Sequence, residues 1–287
     1  MSEYVIFTDS SCDIEPSLLK EWNVSYVNLV FRNDATNEEF TQETMGAPEL
    51  YKQMREGVVF KTSAANMSAF SKAFEPILQE GKDILYIGFS SGLSSTVNAG
   101  DAVAKDMRFK YPDRKIIAID TLCASAGQGL ILYLSVLKRN EGADINTNAN
   151  YVLDCIPHLD HWFTVDDLVY LKRGGRISGV AAFLGGMLDI KPVLHVDDEG
   201  HLIAMTKVRT RKKSIAALAE KYEELIDDPA GRYFISHGDC LEDAKLLEDM
   251  IYKKSGKKAE LITYVGPVIG AHSGPGTLAL FFLGKNR

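Results

Sequence analysis

The first half of the chain alternates short apolar runs with amphipathic segments. The apolar runs are typical of buried strands: "EYVIFTDSS", "VSYVNLVF", "DILYIGFSS" and "KIIAID". Apolar positions at helical spacing occupy residues 50–55, 68–78, 95–107 and 124–140. Strands that alternate with helices in this way predict a parallel sheet with helices on both of its faces.

The second half follows a different pattern, which starts near Trp162. The segment "LHVDDEGHLIAMTKV" is typical of a hairpin, and a hairpin requires antiparallel pairing. The next helix carries an apolar face made of Ile215, Leu218, Ala219, Tyr222, Leu225 and Ile226. A second α/β unit is completed by "RYFISHGD", a helix over 241–253 and "AELITYVG". This half is therefore expected to contain a mixed sheet.

These patterns predict an α/β protein of two domains, residues 1–160 and 161–287, with a cleft between them. The stretch "GADINTNAN" (142–150) is the most polar in the middle of the chain and is compatible with a linker. Asn146 or Thr147 could equally cap the helix that follows.

Hydroxyl and carboxyl side chains follow three of the predicted strands. They are Thr8-Asp9-Ser10-Ser11, Ser90-Ser91 and Asp120-Thr121. Because ligands of open parallel sheets bind outside the carboxyl ends of the strands, this rim is a candidate binding site. Hydroxyl groups at strand ends also cap helices, so each position has a structural alternative.

Two stretches combine hydroxyls with a predicted helix start. "KTSAANMSAF" (61–70) places Thr62 and Ser63 just before a helix, and "SSGLSST" (90–96) lies between a strand and a helix. Hydroxyl groups and the free N–H groups of a first helical turn suit a carboxylate or a phosphate. Helix capping is again the structural alternative.

Composition and the motifs argue against several classes of protein. The net charge of −7 argues against a nucleic-acid binder, and the longest uncharged run, 121–137, is too short and too polar for a membrane span. The start of the chain has no basic signal region, which predicts a cytoplasmic protein. Four scattered cysteines are expected to be reduced thiols rather than metal ligands. The serine-hydrolase elbow, the Walker A loop and the dinucleotide fingerprint all fail to match.

Three further stretches could contact a ligand. "LVYLKRGGRIS" (168–178) carries Lys172, Arg173 and Arg176 around a glycine pair, as a solvated turn or an anion clamp. The small residues of "ISGVAAFLGGML" (177–188) suit a tunnel wall or tight helix packing. "VGPVIGAHSGPGTLAL" (265–280) holds His272 in a glycine-rich turn, where it is either a structural residue or a ligand contact.

The order of these motifs resembles the DegV family of bacterial fatty-acid-binding proteins. "KTS" before a helix, "SSGLSST" after a strand, "LVYLKRGGRIS" and "GPVIGAHSGPGT" occur in the family's order and at its separations, over essentially the full length. The resemblance implies a two-domain α/β fold with one long acyl chain in an apolar tunnel between or within the domains. It implies no catalytic residue, no metal and no cofactor other than the bound lipid.

The resemblance also assigns roles to individual residues. Thr62 and Ser94 should donate hydrogen bonds to the carboxylate, and His272 should lie beside it. The predicted ligand-binding set is Thr62, Ser63, Ser94, Ser95, Arg173, Arg176, Gly270 and His272. The family implies a carrier that presents the fatty acid to a separate fatty acid kinase for acyl-phosphate formation, and such a carrier can act as a monomer.

The sequence departs from the family pattern at two places. Where the family commonly reads TSQPS, residues 62–66 are Thr-Ser-Ala-Ala-Asn, and where it reads LSGTY, residues 93–97 are Leu-Ser-Ser-Thr-Val. Both departures lie beside the expected carboxylate site and could change the ligand preference.

Two other functions remain compatible with the sequence. The first is a small-molecule phosphotransferase or hydrolase at the serine-rich rim, with Asp9 and Asp120 as acid–base or metal residues. The absence of an adjacent general base weighs against it. The second is a lipid-sensing protein whose docking surface lies near Arg173 and Arg176.

Overall fold

The structure is a computed structural model that describes residues 3–177, 190–229 and 231–287. Two large sheets organise these residues, one from each half of the chain. The first sheet is parallel, has the strand order β2-β1-β6-β7, and consists of β1 (Tyr4–Asp9), β2 (Val24–Val27), β6 (Asp83–Gly88) and β7 (Ile116–Asp120).

The second sheet is mixed and has the strand order β10-β9-β8-β13-β11-β12. Only β11 and β12 pair in parallel among its described strands. The strands are β8 (Leu159–Thr164), β9 (Ile190–Val196), β10 (Leu202–Arg209), β11 (Tyr233–His237), β12 (Leu261–Tyr264) and β13 (Leu278–Leu283). The predicted fold class, with a parallel N-terminal sheet and a mixed C-terminal sheet, is confirmed.

The helices enclose and separate the two sheets. They are α1 (Pro16–Glu21), α2 (Ala47–Arg55), α3 (Met67–Gln79), α4 (Thr96–Lys110), α5 (Ala126–Asn140), α6 (Ile145–Cys155), α7 (Val169–Gly174), α8 (Arg211–Leu225), α9 (Leu241–Ser255) and α10 (Pro267–Ser273). Helices α3 and α4 pack on the outer face of the parallel sheet, and α8 and α9 pack on the outer face of the mixed sheet. Helices α5 and α6 lie between the two sheets.

Strand β13 packs against helices on both of its faces. Ala279 and Phe281 face the helices between the sheets, whereas Leu278, Leu280 and Phe282 face α8 and α9. Both faces of the strand are buried, so its sequence "LALFFL" is apolar throughout rather than alternating.

A third, small sheet was not predicted. It has the order β4-β3-β5 and consists of β3 (Val30–Asn33), β4 (Glu39–Phe40) and β5 (Phe60–Ser63). The run "VSYVNLVF", predicted as one strand, is therefore two strands: β2 belongs to the parallel sheet and β3 to the small sheet. The chain leaves the first sheet after Val27, and Leu29 N–H donates to Ser10 Oγ at 2.9 Å.

Two predicted helix starts were wrong in detail. Asp144 caps α6 by accepting a hydrogen bond from Thr147 N–H at 2.8 Å, so neither Asn146 nor Thr147 is the cap. Thr62 and Ser63 belong to β5, and Asn66 caps α3 by accepting from Ala69 N–H at 3.0 Å. The first turn of α3 is thus capped by the side-chain amide of Asn66 and not by a hydroxyl group.

The two-domain boundary after residue 160 stays a prediction. Strand β8 spans Leu159–Thr164, so Leu159 and Asp160 belong to the same strand as the residues that follow them.

Candidate functional site

A largely apolar cavity lies where the ends of the parallel strands face the mixed sheet. Its volume is about 270 Å³. The strands and helices of both halves contribute apolar side chains: Leu29, Ala64, Phe89, Leu93, Ala124, Phe163, Leu171, Val196, Leu202, Val265, Val268, Ile269, Ala279 and Phe281. Such a lining suits an aliphatic ligand.

Thr62 and His272 form a polar contact on the cavity wall. Thr62 lies on β5 and His272 in the last turn of α10, 210 positions apart in sequence. Thr62 Oγ1 and His272 Nε2 are 2.6 Å apart and share a hydrogen bond. The small sheet and α10 therefore bring these two predicted residues together.

Ser94 and Ser95 reach the cavity from the loop before α4. Ser94 Oγ accepts a hydrogen bond from Thr96 N–H at 3.2 Å and lies 2.9 Å from Thr96 Oγ1. Both serines line the cavity. Because α4 begins at Thr96, the positive end of its dipole points toward this wall.

The "KRGGR" turn contacts both groups, through Gly174 at His272 and through Arg176 at the backbone of Leu93. A Cβ atom on Gly174 would lie 2.3 Å from His272 Nδ1, so only glycine lets the imidazole ring pack there. Arg176 lines the cavity and donates to Gly174 O at 2.6 Å and, more weakly, to Leu93 O at 3.4 Å. Thr62, His272, Arg176 and Ser94 consequently surround one polar end of the cavity.

His272 is neutral near pH 7. Burial, together with the positive charge of Arg176, lowers the pKa of His272 from its usual 6.5 to about 4. Its Nδ1 atom is buried and has no hydrogen-bond partner among the described residues. The His272 ring is thus neutral and makes a single hydrogen bond. The positive charge at this end of the cavity is therefore that of Arg176.

The low pKa of His272 predicts a pH dependence of stability. Between pH 6.5 and pH 4 the unfolded chain binds a proton at this position and the folded chain does not, so the free energy of unfolding falls as the pH falls. For ligand-free protein, we expect the loss from this residue to reach about 3 kcal/mol at pH 4. Urea unfolding of the wild type and of His272→Gln across this range measures it as a difference. Parallel stability curves would contradict the low pKa.

Three predicted residues lie outside the cavity lining formed by the described residues. Ser63 is exposed on β5, and Arg173 is exposed with its guanidinium 5.8 Å from the ring centre of Tyr170. Gly270 is buried in α10, where a Cβ atom would lie 2.5 Å from Tyr51 Oη. The geometry explains this glycine by helix packing, and direct ligand roles for the three residues stay predictions.

The cavity also contains polar residues to which the family resemblance assigned no individual role: Ser11, Ser125, His161, Ser273 and Thr277. His161 is fully buried, its Nε2 accepts from Ala124 N–H at 3.2 Å and its Nδ1 lies 3.2 Å from Leu159 O. Burial lowers the pKa of His161 well below its usual value. Its position in an apolar strand carried no sequence signal for a cavity residue.

The departures from the family pattern fall into two environments. Ala64 and Ser95 line the cavity, so they can affect a ligand directly. Val97 lies in the first turn of α4 and is buried in the core, where a Cβ atom on Gly88 would lie 2.6 Å from its Cγ2. Asn66 caps α3, as described above.

The two candidate acid–base residues, Asp9 and Asp120, accept hydrogen bonds from other groups of the protein. Asp9 is completely buried and accepts hydrogen bonds from Ser11 N–H, Tyr86 O–H, Phe89 N–H and Gln128 Nε2 at 3.0–3.3 Å. Asp120 accepts from Ser91 N–H and Leu122 N–H at 3.2 and 3.0 Å. Within the described ranges, no group of three His, Cys, Asp or Glu side chains is arranged to hold a metal ion.

From Ser178 onward, the stretch predicted as a tunnel wall or helix-packing surface lies outside the described residues. None of the helices in the described ranges has both the length and the apolar character that crossing a bilayer requires.

Comparison with known proteins identifies relatives over the full length of the chain. Residues 3–285 match a family model described as "Uncharacterised protein, DegV family". A DegV domain-containing protein of Clostridium perfringens is 41% identical over 289 residues, which cover 100% of this chain and 99% of that protein.

Two solved structures share the fold over the full length. A DegV family protein from Thermus thermophilus, described by its fatty acid binding, superposes with a TM-score of 0.88 at 26% identity, covering 99% of this chain and 100% of the other. A fatty acid binding DegV family protein from Streptococcus agalactiae superposes with a TM-score of 0.86 at 26% identity, covering 100% of both chains. With the family match over nearly every residue, these similarities show that the chain belongs to the DegV family.

Proposed function

We propose that the protein binds one long-chain fatty acid in the apolar cavity. The observation that carries this proposal is the combination of an apolar lining with a polar end built from Thr62, Ser94, Arg176 and His272. Two relatives of the same fold, from Thermus thermophilus and Streptococcus agalactiae, are described as fatty acid binding. An amphiphile with one polar end matches this distribution of side chains.

The carboxylate would lie between β5 and the start of α4. If His272 carries its proton on Nε2, it donates to Thr62 Oγ1, and the hydroxyl proton of Thr62 is then free to donate to the ligand. Ser94 Oγ–H supplies a second donor, and the Arg176 guanidinium supplies the opposite charge. His272 is in this scheme a positioning residue for Thr62.

The free energy of binding would come mainly from the acyl chain. Each methylene that leaves water for the apolar lining contributes about 0.8 kcal/mol. The polar end needs to supply hydrogen bonds because a buried carboxylate without them would be strongly unfavourable. The tail therefore supplies most of the affinity, whereas the polar end adds hydrogen bonds and fixes which way the chain enters.

We further propose that the protein is a carrier that offers the carboxyl group to a fatty acid kinase. In the described structure, Asp9 and Asp120 bond to backbone and side-chain donors of their own domain, so neither is arranged as a free acid–base group. Arg173 and Arg176 are exposed, which suits contact with a partner at the polar end.

The lipid content of the purified protein tests the proposal. Native mass spectrometry and organic extraction should detect one fatty acid per chain, and delipidated protein should take up added stearic acid at the same ratio. A protein of similar size without a lipid cavity, purified from the same cells, controls for adventitious lipid. A delipidated, folded protein that takes up no long-chain acid would contradict fatty acid binding. Acyl-phosphate formation with an added kinase tests the carrier role separately.

A further inference from the structure

The two glycines of the "KRGGR" turn are required for different reasons. Gly175 has φ 66°, and a Cβ atom there would meet nothing within 4 Å, so its backbone alone favours glycine. Gly174 is the last residue of α7, and its φ lies outside the left-handed region. Because alanine is favoured over glycine in a helix, the backbone does not explain Gly174.

The His272 ring is held between Gly174 and Thr62. A Cβ atom on Gly174 would lie 2.3 Å from His272 Nδ1. On the other side of the ring, His272 Nε2 is 2.6 Å from Thr62 Oγ1 and shares a hydrogen bond with it. A hydrogen bond of this length cannot be compressed further to make room for a methyl group. Alanine at position 174 would therefore turn the ring away and break its bond to Thr62.

A shift of α7 is the other way to make room, and a reciprocal contact opposes it. Gly274 follows α10 with φ 83°, and a Cβ atom there would lie 2.3 Å from the ring of Tyr170 in α7. Each of the two elements thus places a ring directly on a glycine of the other. The paired contacts, Gly174 with His272 and Gly274 with Tyr170, hold α7 in one position against the end of α10.

The orientation of the Thr62 hydroxyl depends on this arrangement. When His272 donates from Nε2 to Thr62 Oγ1, the hydroxyl proton of Thr62 points away from the ring and is available to the ligand. Once the ring has turned away, nothing fixes that proton toward the carboxylate. A methyl group at position 174 would therefore affect the carboxylate site through the imidazole, without touching the ligand.

We propose that Gly174 is a positioning residue of the carboxylate site, which seats the His272 ring and through it orients the Thr62 hydroxyl. The inference rests on the proposed fatty acid binding. A glycine needed only for the fold would change stability when replaced. A positioning residue also changes how strongly the protein prefers a carboxylate.

Isothermal titration of delipidated Gly174→Ala and Gly175→Ala tests this inference. For Gly174→Ala we expect the dissociation constant of stearic acid to rise about tenfold, since one oriented hydrogen bond to a charged group is lost. Its preference for stearic acid over methyl stearate should fall, because an ester accepts a weaker hydrogen bond than a carboxylate. Gly175→Ala makes the same substitution at the adjacent position and should keep the wild-type affinity and preference, even though its backbone is strained.

A double variant shows whether Gly174 acts through His272. His272→Ala should itself weaken the binding of stearic acid about tenfold, because the Thr62 hydroxyl loses its partner. Adding Gly174→Ala to it should change the dissociation constant by less than about twofold, since the ring that the methyl group would displace is absent.

The imidazole resonances of His272 provide a measurement that needs no ligand. In proton–nitrogen spectra of the ligand-free protein, assigned by comparison with His272→Gln, Gly174→Ala should shift the Nε2 resonance and Gly175→Ala should not. A ring that leaves its buried place should also titrate closer to the usual pKa of 6.5, because burial is the main cause of its low pKa. The buried rings of His161 and His195 serve as internal references.

The outcomes separate this inference from the proposed function. If stearic acid does not bind the wild type, fatty acid binding fails, and the spectra still decide whether Gly174 seats His272. If stearic acid binds and Gly174→Ala keeps the wild-type dissociation constant, or if the losses of Gly174→Ala and His272→Ala multiply, the positioning role is refuted while fatty acid binding stands. Should Gly174→Ala alone not fold, the double variant has no ring to displace and should fold. A double variant that is equally unfolded would refute the role of Gly174.

Discussion

Replacing Asp9 by alanine should destabilise the protein by about 3 kcal/mol, because each buried donor left without an acceptor costs about 1 kcal/mol or more. Three of its four donors lose their acceptor, whereas Gln128 Nε2 keeps Thr8 Oγ1 and Ile87 O. Asp9 ends β1 and accepts from four donors that belong to different elements of the N-terminal half: Ser11 N–H, Tyr86 O–H, Phe89 N–H and Gln128 Nε2. The carboxyl group thereby joins β1, β6, the loop after β6, and α5. Urea unfolding followed by circular dichroism measures the loss.

Asp120→Ala is the matched control. Asp120 also ends a parallel strand, but it is only half buried and accepts from two backbone N–H groups. We expect a loss of about 1 kcal/mol. Suppose instead that the two variants lose equally little stability and that Asp9→Ala lacks a catalytic activity which the wild type shows. That result would favour the acid–base role that an enzyme of this fold would require.

The elements that could be predicted from sequence are those whose burial is uniform along their length. Strand β6, "DILYIG", is buried at every position, and α5 has buried residues on most of its surface, so both produce unmistakable apolar runs. The run "VSYVNLVF" is equally apolar, but its two halves pair with different sheets. An apolar run indicates that a segment is buried but not which strand it pairs with. Nothing in the local sequence therefore indicated the break after Val27.

Helix caps show a second limit of prediction from sequence. Asp144, Asn146 and Thr147 all have side chains that can cap a helix, and the choice depends on which residue has extended backbone angles. The same holds for Asn66, which caps α3 in place of the hydroxyl residues before it. These choices are set by how the preceding strand ends, which depends on tertiary packing.

The residues of the candidate site also differ in whether a sequence motif indicated them. Thr62, Ser94, Arg176 and His272 stand in motifs with characteristic order, and the structure brings them to one end of one cavity. Ser11 belongs to the predicted strand-end rim, whereas Ser125 and His161 stand in no such motif, because their place in the cavity follows from the packing of the two sheets. Gly174 and Gly270 were conspicuous in sequence for a reason that only the structure supplies: each accommodates an aromatic or imidazole ring from another element.

Removing both hydroxyl donors at the polar end, Thr62 and Ser94, should weaken the binding of stearic acid strongly. For Thr62→Ala/Ser94→Ala we expect the dissociation constant for stearic acid to rise about 100-fold, since each hydrogen bond to a charged group contributes about 1.5 kcal/mol or more. Thr62 is half buried on β5 and Ser94 half buried before α4, so the truncations leave small gaps and the fold should persist. Isothermal titration of delipidated protein measures the change.

Two comparisons make this test specific to the carboxylate. Ser68→Ala/Ser91→Ala removes exposed hydroxyls from the same two regions and should bind stearic acid as the wild type does. Methyl stearate, which has no charged head group, should bind the wild type more weakly than stearic acid does. The double variant should distinguish acid from ester by a smaller factor than the wild type, because only Arg176 is left to favour the charged group. If the double variant still prefers the acid by the wild-type factor, the carboxylate lies elsewhere, and its donors have to be sought at Ser273 and Thr277, the other hydroxyls of the cavity that follow His272.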